Sequence, residues 1–520
     1  MKKNIYIMAL LAIFAFPSCS DELDTNPTDK VPYDMLFKDG ENAQTAINGI
    51  YRSLYTAGWG SGWTHENPGL MTIPIMCSAW GEDLVIKESG SGWFYYDYTL
   101  QIAGDYIHKS GHSYQMWNMN YTIINNSNEI IGSEKRLTDP LGQNVVAQAK
   151  ALRAFAYFNL IQLYQQTYDG NQDKPGVPVY TEPVSIKSEG KPRGTVKDVY
   201  TQINKDLDEA ISMFEKLGRK NQVDPSHIDY YVAQGFKARV ALVMHDFEKA
   251  EIAAQAALSN PSKKLATMKE LGHFNKVDAP SVLWGSKILK DQSLTILSIF
   301  GHFDASNSKG FYAEKSRKLI STGLYNQISG TDLRKSGKES WWNSVLPEDA
   351  ALGDQVSYCQ EKFKFDNPSD QTGDYIYMRM EEMLLILSEA QCQLGKFGDA
   401  KANLKKLMDL RDPKAQDVLS KLSDSKDYSK DTNQIPTTLM EEILLQRRIE
   451  LWCEIPRIWD LQRLHLGYNR SYSGSNHRVK VDASNTTAAA PNFILPIPME
   501  EFNGNKSMDP GKDQNPIVQL

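Results

Sequence analysis

Aromatic side chains crowd into two loop-rich stretches of this 520-residue chain. Trp59, Trp63, Trp93, Phe94, Tyr95, Tyr96 and Tyr98 lie among Gly and Ser in the first. Phe300, His302, Phe303, Phe311 and Tyr312 occupy the second, ahead of Asp332. The chemistry such stretches support is stacking. Flat C–H faces of a sugar ring pack on aromatic faces, while the hydroxyls find polar partners nearby. Glycine-rich loops let rings stand exposed at varied angles. The plainer alternative is that the rings pack beneath the loops, as large aromatics commonly do. The candidate ligand-binding residues are Trp59, Trp63, Trp93, Tyr95, Tyr96, Phe311 and Tyr312, with Trp341-Trp342 extending the same face. Trp284, inside Val282-Leu283-Trp284, reads instead as a buried strand residue.

Other chemistries have weaker signatures. HExxH, GxSxG, Walker A and a helix-opening GxGxxG are all absent. His65-Glu66 and His108-x3-His112 are the suggestive neighbours, the latter at a spacing that binds metal on a helix. Gly111 and polar surroundings favour a loop there, so no metal site and no cofactor are assigned. Acid pairs for glycoside hydrolysis are always available among 64 carboxylates, and sequence does not give their separation. In the run 447–463, Glu454, Arg457, Asp460 and Arg463 recur every third residue with alternating sign. That spacing predicts an ion-pair ladder along a helical turn, with Pro456 bending or restarting the helix. A formal charge of −7, more negative once a lysine-bearing leader is removed, disfavours nucleic acid as a partner. Cys77, Cys359, Cys392 and Cys453 form no zinc or CxxC pattern, and Cys392 and Cys453 read as buried thiols in apolar helices.

The elements that must position the rings are mostly helical. Apolar periodicity predicts helices over 43–55, 114–131, 145–164, 196–214, 230–244, 247–258, 378–394, 397–410 and 439–453. Residues 238–261, with Phe247, Ala250, Ala254 and Ala257, resemble a tetratricopeptide unit, and residues 389–413, with Phe397, Ala400 and Leu404, resemble a second. Small alanines let paired helices approach and phenylalanine fills the gap between them. The fold class is therefore mainly α: a tetratricopeptide-like helical scaffold with a few short strands and long insertions at about 58–110 and 260–375. Because about 150 residues separate the two units, the array is expected to be interrupted, its long loops gathered on one face.

The N-terminus carries an address. Lys2 and Lys3 precede an apolar run, 5–16, too short to span a membrane at about 20 residues. Phe16-Pro17-Ser18-Cys19 resembles a bacterial lipobox, with Phe16 where Leu is usual, and implies lipidation of Cys19. Ser20-Asp21-Glu22-Leu23-Asp24 behind it looks like the acidic outer-surface signal of Bacteroidetes lipoproteins. An ordinary leader with an incidental cysteine is the plainer alternative. The organisation expected is leader 1–18, lipidated tether 19–42 and one domain over 43–520.

Motifs in order along the chain resemble the SusD/RagB family of outer-membrane glycan-uptake lipoproteins. Trp117-x3-Tyr121-x3-Asn125 comes first, then Ala151-Leu152-Arg153-Ala154 with Tyr157-Phe158, and Val177-Pro178. Asp332-x-Arg334, Arg379-x2-Glu382 and Glu389-Ala390 follow. Arg447-x2-Glu450-Leu451-x2-Glu454-x2-Arg457-x2-Asp460 is the strongest, before Leu495-Pro496-Ile497-Pro498 and Gln514-Asn515-Pro516. Ile455 stands where the family usually has Gly, and no Gly follows Pro516. The resemblance implies a surface-facing, outer-membrane, lipid-anchored protein that binds oligosaccharide without catalysis. It implies a SusC-like TonB-dependent transporter as partner, and the two insertions as the glycan platform. A surface glycoside hydrolase, or a scaffold or receptor for a non-glycan nutrient such as peptide, stays open as an alternative.

Overall fold

The computed structural model describes residues 37–61, 65–88, 93–101, 105–185, 187–218, 224–306, 311–342, 358–486 and 493–517. The leader, Cys19 and most of the tether lie outside the described residues.

Helix starts follow the side chains that cap them. Asp39 caps α1 (Gly40–Ser53) through the Asn42 N–H. α2 (Thr72–Trp80) is buried along its whole length. Gly111 opens α3 (His112–Gly132), so His108 and His112 do not share a helix. Asp139 caps α4 (Pro140–Tyr164), whose proline sits in the first turn where no N–H is needed. The same Asp139 accepts the Gly40 N–H, stitching α1 to α4. Thr195 and Asp198 form a capping box on α5 (Val196–Lys216). Asp229 caps α6 (Tyr230–Val243) and Asp246 caps α7 (Phe247–Leu258). α8 (Met380–Gln393) and α9 (Phe397–Met408) form the second repeat-like pair. α10 (Leu439–Glu450) carries another capping box, Thr438 with Glu441.

The helices stack in succession from α3 to α9, each against the next. The two repeat-like pairs therefore adjoin in space: α7 packs on α8 although 260–375 intervenes. This corrects the expectation of an interrupted array. Ala250, Ala254, Ala257, Ala390 and Ala400, all fully buried, permit the close approach. Arg239 of α6 locks the join by a two-pronged contact with Glu382 of α8, at 2.7 and 2.6 Å.

The insertions pair with one another. β1 (Leu84–Glu88) from the first runs antiparallel to β3 (Ser316–Ile320) from the second, with Leu84 opposite Ile320. β2 (Val282–Ser286) pairs with β4 (Tyr375–Arg379), and an irregularity falls at Trp284. Trp284 is wholly buried, its ring edge-on to Phe155 and Phe236, as its apolar context predicts.

The charged run holds these layers together, by a different geometry from the ladder expected. α10 ends at Glu450, and α11 (Arg457–Arg463) begins after Pro456. Glu454 thus lies off both helices and reaches Arg379 and Lys362, each at 2.6 Å, rather than Arg457. Arg457 turns to Glu82 at 3.1 Å, and Arg463 to Glu389 as well as Asp460. At the centre, Glu450 receives Arg334, Arg379 and Arg411 at 2.9, 2.8 and 2.9 Å. Its carboxyl is held well below the usual range by these guanidiniums, although burial alone raises it.

Trp341 and Trp342 belong to this interior. They are 2 % and 1 % exposed, so they do not extend a binding face. Trp341 stands edge-on to Phe274 with the Lys362 ammonium 4.5 Å from its ring, and Trp342 meets Trp452.

Candidate ligand-binding site

Residues 93–98 make a strained turn at the edge of the β1–β3 ribbon. Trp93 and Phe94 adopt positive φ, 31° and 70°, before the single helical turn Tyr95–Tyr98. For bulky residues this costs about 1–3 kcal/mol each and persists only where surrounding contacts impose it. The contacts are present. The Phe94 N–H donates to the Glu66 carboxylate at 2.5 Å, and the Trp93 carbonyl accepts from Lys318 Nζ at 3.4 Å. The buried Phe94 ring stacks on His112 and stands edge-on to His302, at 5.4 and 5.0 Å. At the far end Arg470 donates to the Tyr98 carbonyl at 2.6 Å. Phe94 and Tyr98 are thus pinned inward, and Tyr96 between them is turned out.

Tyr96 is the most exposed of these rings, at 59 %, while Trp93 and Tyr95 are half-buried. Tyr312, expected to present its face, is 2 % exposed and serves as floor. Its ring lies 5.0 Å from Trp93 and stacks on His302 at 5.1 Å, and its hydroxyl meets His65 Nδ1. Trp59 packs partly buried against the core, its carbonyl taking the Asn118 amide of α3 at 2.8 Å. Trp63 and the side chain of Phe311 lie outside the described residues; Phe311 opens the helical turn Phe311–Lys315.

Beneath the rings lies a polar layer. His112 meets Asp97 through Nδ1 at 3.2 Å and the Glu66 carbonyl through Nε2 at 3.1 Å. Glu66, Asp97 and His112 each offer an atom within 4.8 Å of the others, a spacing that could hold a cation. Both nitrogens of His112 already face oxygen acceptors, however, so coordination would require breaking one contact. Burial raises the Glu66 carboxyl, brings Lys318 down to about 7, and holds His302 well below the ordinary histidine range. These groups brace the turn from below. His65-Glu66 and His112 are visible in sequence as polar neighbours, but their convergence is not, and Lys318 is an unremarked lysine within β3.

A family model described as "Starch-binding associating with outer membrane" matches residues 80–242, and one described as "SusD family" matches residues 307–517. The chain belongs to the SusD/RagB family. SusD-like protein P2 of Formosa agariphila is 23 % identical over 98 % of this chain and 99 % of its own. SusD-like protein P38 of the same organism is 24 % identical over 52 % of this chain and 48 % of its own. A SusD-like carbohydrate binding protein from Bacteroides vulgatus superposes with a TM-score of 0.73 at 23 % identity, covering 90 % of this chain and 97 % of that one. Surface glycan-binding protein A from Bacteroides thetaiotaomicron gives 0.66 at 17 % identity, covering 92 % and 99 %. At such identities the structural likeness concerns the fold. Several SusD-family motifs fall in the scaffold: Asp332, Arg334, Arg379, Glu450 and Glu454 form one buried network, apart from the rings of the turn.

Proposed function

We propose that this SusD-family chain captures oligosaccharide or polysaccharide at the cell surface and passes it, uncleaved, to a SusC-like TonB-dependent transporter. The observation that carries the reading is the turn 93–98. Its backbone strain is sustained by buried contacts, and its outcome is an exposed Tyr96 beside half-buried Trp93 and Tyr95. Two stacked rings, each covering about 100 Å² at about 25 cal/mol/Å², give roughly 5 kcal/mol before ordering costs. The surplus corresponds to about millimolar affinity, suited to a carrier that must release its load. The Bacteroides vulgatus neighbour, a carbohydrate binding protein, supports the ligand class. Attachment is through Cys19, facing outward; among the described residues no helix is long and apolar enough to cross a membrane.

Cleavage is disfavoured by the placement of the nearest acids. Asp97 has a side chain only 3 % exposed and lies against His112, so it does not pair with Glu66 across an open bond. The test is a polysaccharide screen by affinity electrophoresis, with calorimetry and product chromatography on any ligand found. Retardation without shorter products, weakened by Trp93→Ala or Tyr96→Ala, is the expected result. Product release would overturn the carrier reading, and silence across the panel would overturn the glycan reading.

A further inference from the structure

A cavity of about 310 Å³ opens on the other side of α3, built from residues outside the turn. Its volume lies near the lower end of the roughly 300–1,000 Å³ typical of small-ligand pockets. Trp117, Tyr121 and Tyr180 wall it, with Asn118, Asn125 and Glu500 among them. Trp117 and Tyr121 centroids are 4.8 Å apart, and Tyr180 stands at 82° to Tyr121. The polar tips of the first two rings are already used. Trp117 donates to Glu501 at 3.0 Å and the Tyr121 hydroxyl to the Pro178 carbonyl at 2.8 Å. What they offer the cavity is therefore ring surface.

The remaining polar atoms are half-used. Asn118 spends its amide nitrogen on the Trp59 carbonyl, which leaves its side-chain oxygen. Asn125 spends its oxygen on the Val184 N–H at 2.8 Å, which leaves its amide nitrogen. One Glu500 oxygen, Oε2, is shut off from solvent with no hydrogen-bond partner. That oxygen is out of reach of a ligand in the cavity, so Glu500 contributes its charge there and not that acceptor. Among the described residues no lysine or arginine lines the cavity, whereas Glu500 and Glu501 both do.

We propose that this cavity is a second, half-open sugar site that seats one neutral or amine-bearing pyranose ring and rejects uronates and sulfated sugars. Its C–H faces meet Trp117, Tyr121 and Tyr180, and its hydroxyls donate to Asn118 and accept from Asn125. The sugar class rests on the proposed function; the size, the rings and the charge selection rest on the cavity itself.

Saturation-transfer NMR on the detergent-solubilised mature chain tests it, using methyl glucoside, methyl galactoside, methyl mannoside, glucosamine and, as the anionic probe, glucuronate. Saturation of ring C–H protons is expected from at least one neutral or amino sugar, and none from glucuronate. Val184→Trp, at a rim position 39 % exposed, should abolish the signal by filling the mouth. Tyr96→Ala should leave this signal unchanged while weakening polysaccharide retention. Silence from all the neutral and amino sugars, a signal indifferent to Val184→Trp, or equal response to glucuronate would each overturn the proposal. Absence of polysaccharide retention by the parent chain, with the monosaccharide signal present, would count against the turn and support the cavity as a separate site.

Discussion

Truncating Tyr96 separates ligand contact from fold maintenance. The ring is 59 % exposed, while the residue's backbone carbonyl, retained in Tyr96→Ala, accepts from Gln101 N–H at 2.8 Å. Surface truncations of this kind change stability within about ±0.5 kcal/mol, so Tm and the far-UV spectrum should match the parent. The ligand loses more. A ring stacked on one sugar face covers about 100 Å², worth about 2.5 kcal/mol at 25 cal/mol/Å². Ordering the ring returns about 0.5–1.5 kcal/mol of that, leaving about 1–2 kcal/mol. At 1.4 kcal/mol per decade the dissociation constant should rise about 5- to 30-fold. Calorimetry with the best polysaccharide of the screen, with Tyr96→Phe alongside, measures it. Phe retains the stacking face and should bind within about threefold of the parent. A Tyr96→Ala chain that binds as tightly as the parent, with an unchanged Tm, would refute the stacking argument and remove the turn as the site.

Other perturbations probe the support. Glu450→Gln strips the charge facing Arg334, Arg379 and Arg411, each at most 1 % exposed, and should cost about 3–5 kcal/mol in chemical denaturation, with glycan affinity kept wherever the fold survives. Trp341→Ala should cost about 3–5 kcal/mol and leave affinity unchanged; reduced affinity at equal foldedness would return Trp341 to the binding face. Lys318 is depressed to about 7 from 10.5, so the unfolded chain binds more protons between those values and stability should rise with pH across that window, by up to about 1.4 kcal/mol per unit. Lys318→Met should flatten that limb in denaturation at pH 7 and 9; an unchanged slope would show that Lys318 is not the group responsible. His477, held down to about 3 by burial and Arg470, stays neutral when folded, so stability should fall as pH drops below about 6.5, a decline that His477→Gln should reduce.

Helices were legible because their signals are local. The expectation for 247–258 coincides with α7, and that for 145–164 misses only the first turn, where Asp139 and Pro140 set the start. Spatial adjacency was less so. Nothing in the spacing of residues 238–261 and 389–413 says that α7 packs on α8, because the returning chain hides the contact. Likewise the restart of the helix at Pro456 was legible, but the three-residue spacing did not tell that Glu454 and Arg457 would turn to different partners. Tyr96, Tyr312 and Trp342 read alike in sequence as aromatics near glycine and serine. Their exposures of 59 %, 2 % and 1 % are decided by what other segments lay over them.

That difference explains why the family is plainer in this chain than its ligand. Glu450 draws its partners from around Arg334, Arg379 and Arg411, so removing any one group leaves a buried charge uncompensated, at about 3–5 kcal/mol. Such residues are constrained jointly, and they spell several of the motifs by which the family is recognised. Tyr96 carries no comparable burden, since its side chain is mostly in solvent. On the proposed function, a change there is expected to alter what is bound and barely what is folded. Phe94 stands between these regimes: its ring is buried against His112 and His302, yet its left-handed backbone sets where Trp93 and Tyr96 emerge. Specificity in this chain is therefore expected to respond to substitutions beneath the turn, at Glu66 and Phe94, as well as to the rings it displays.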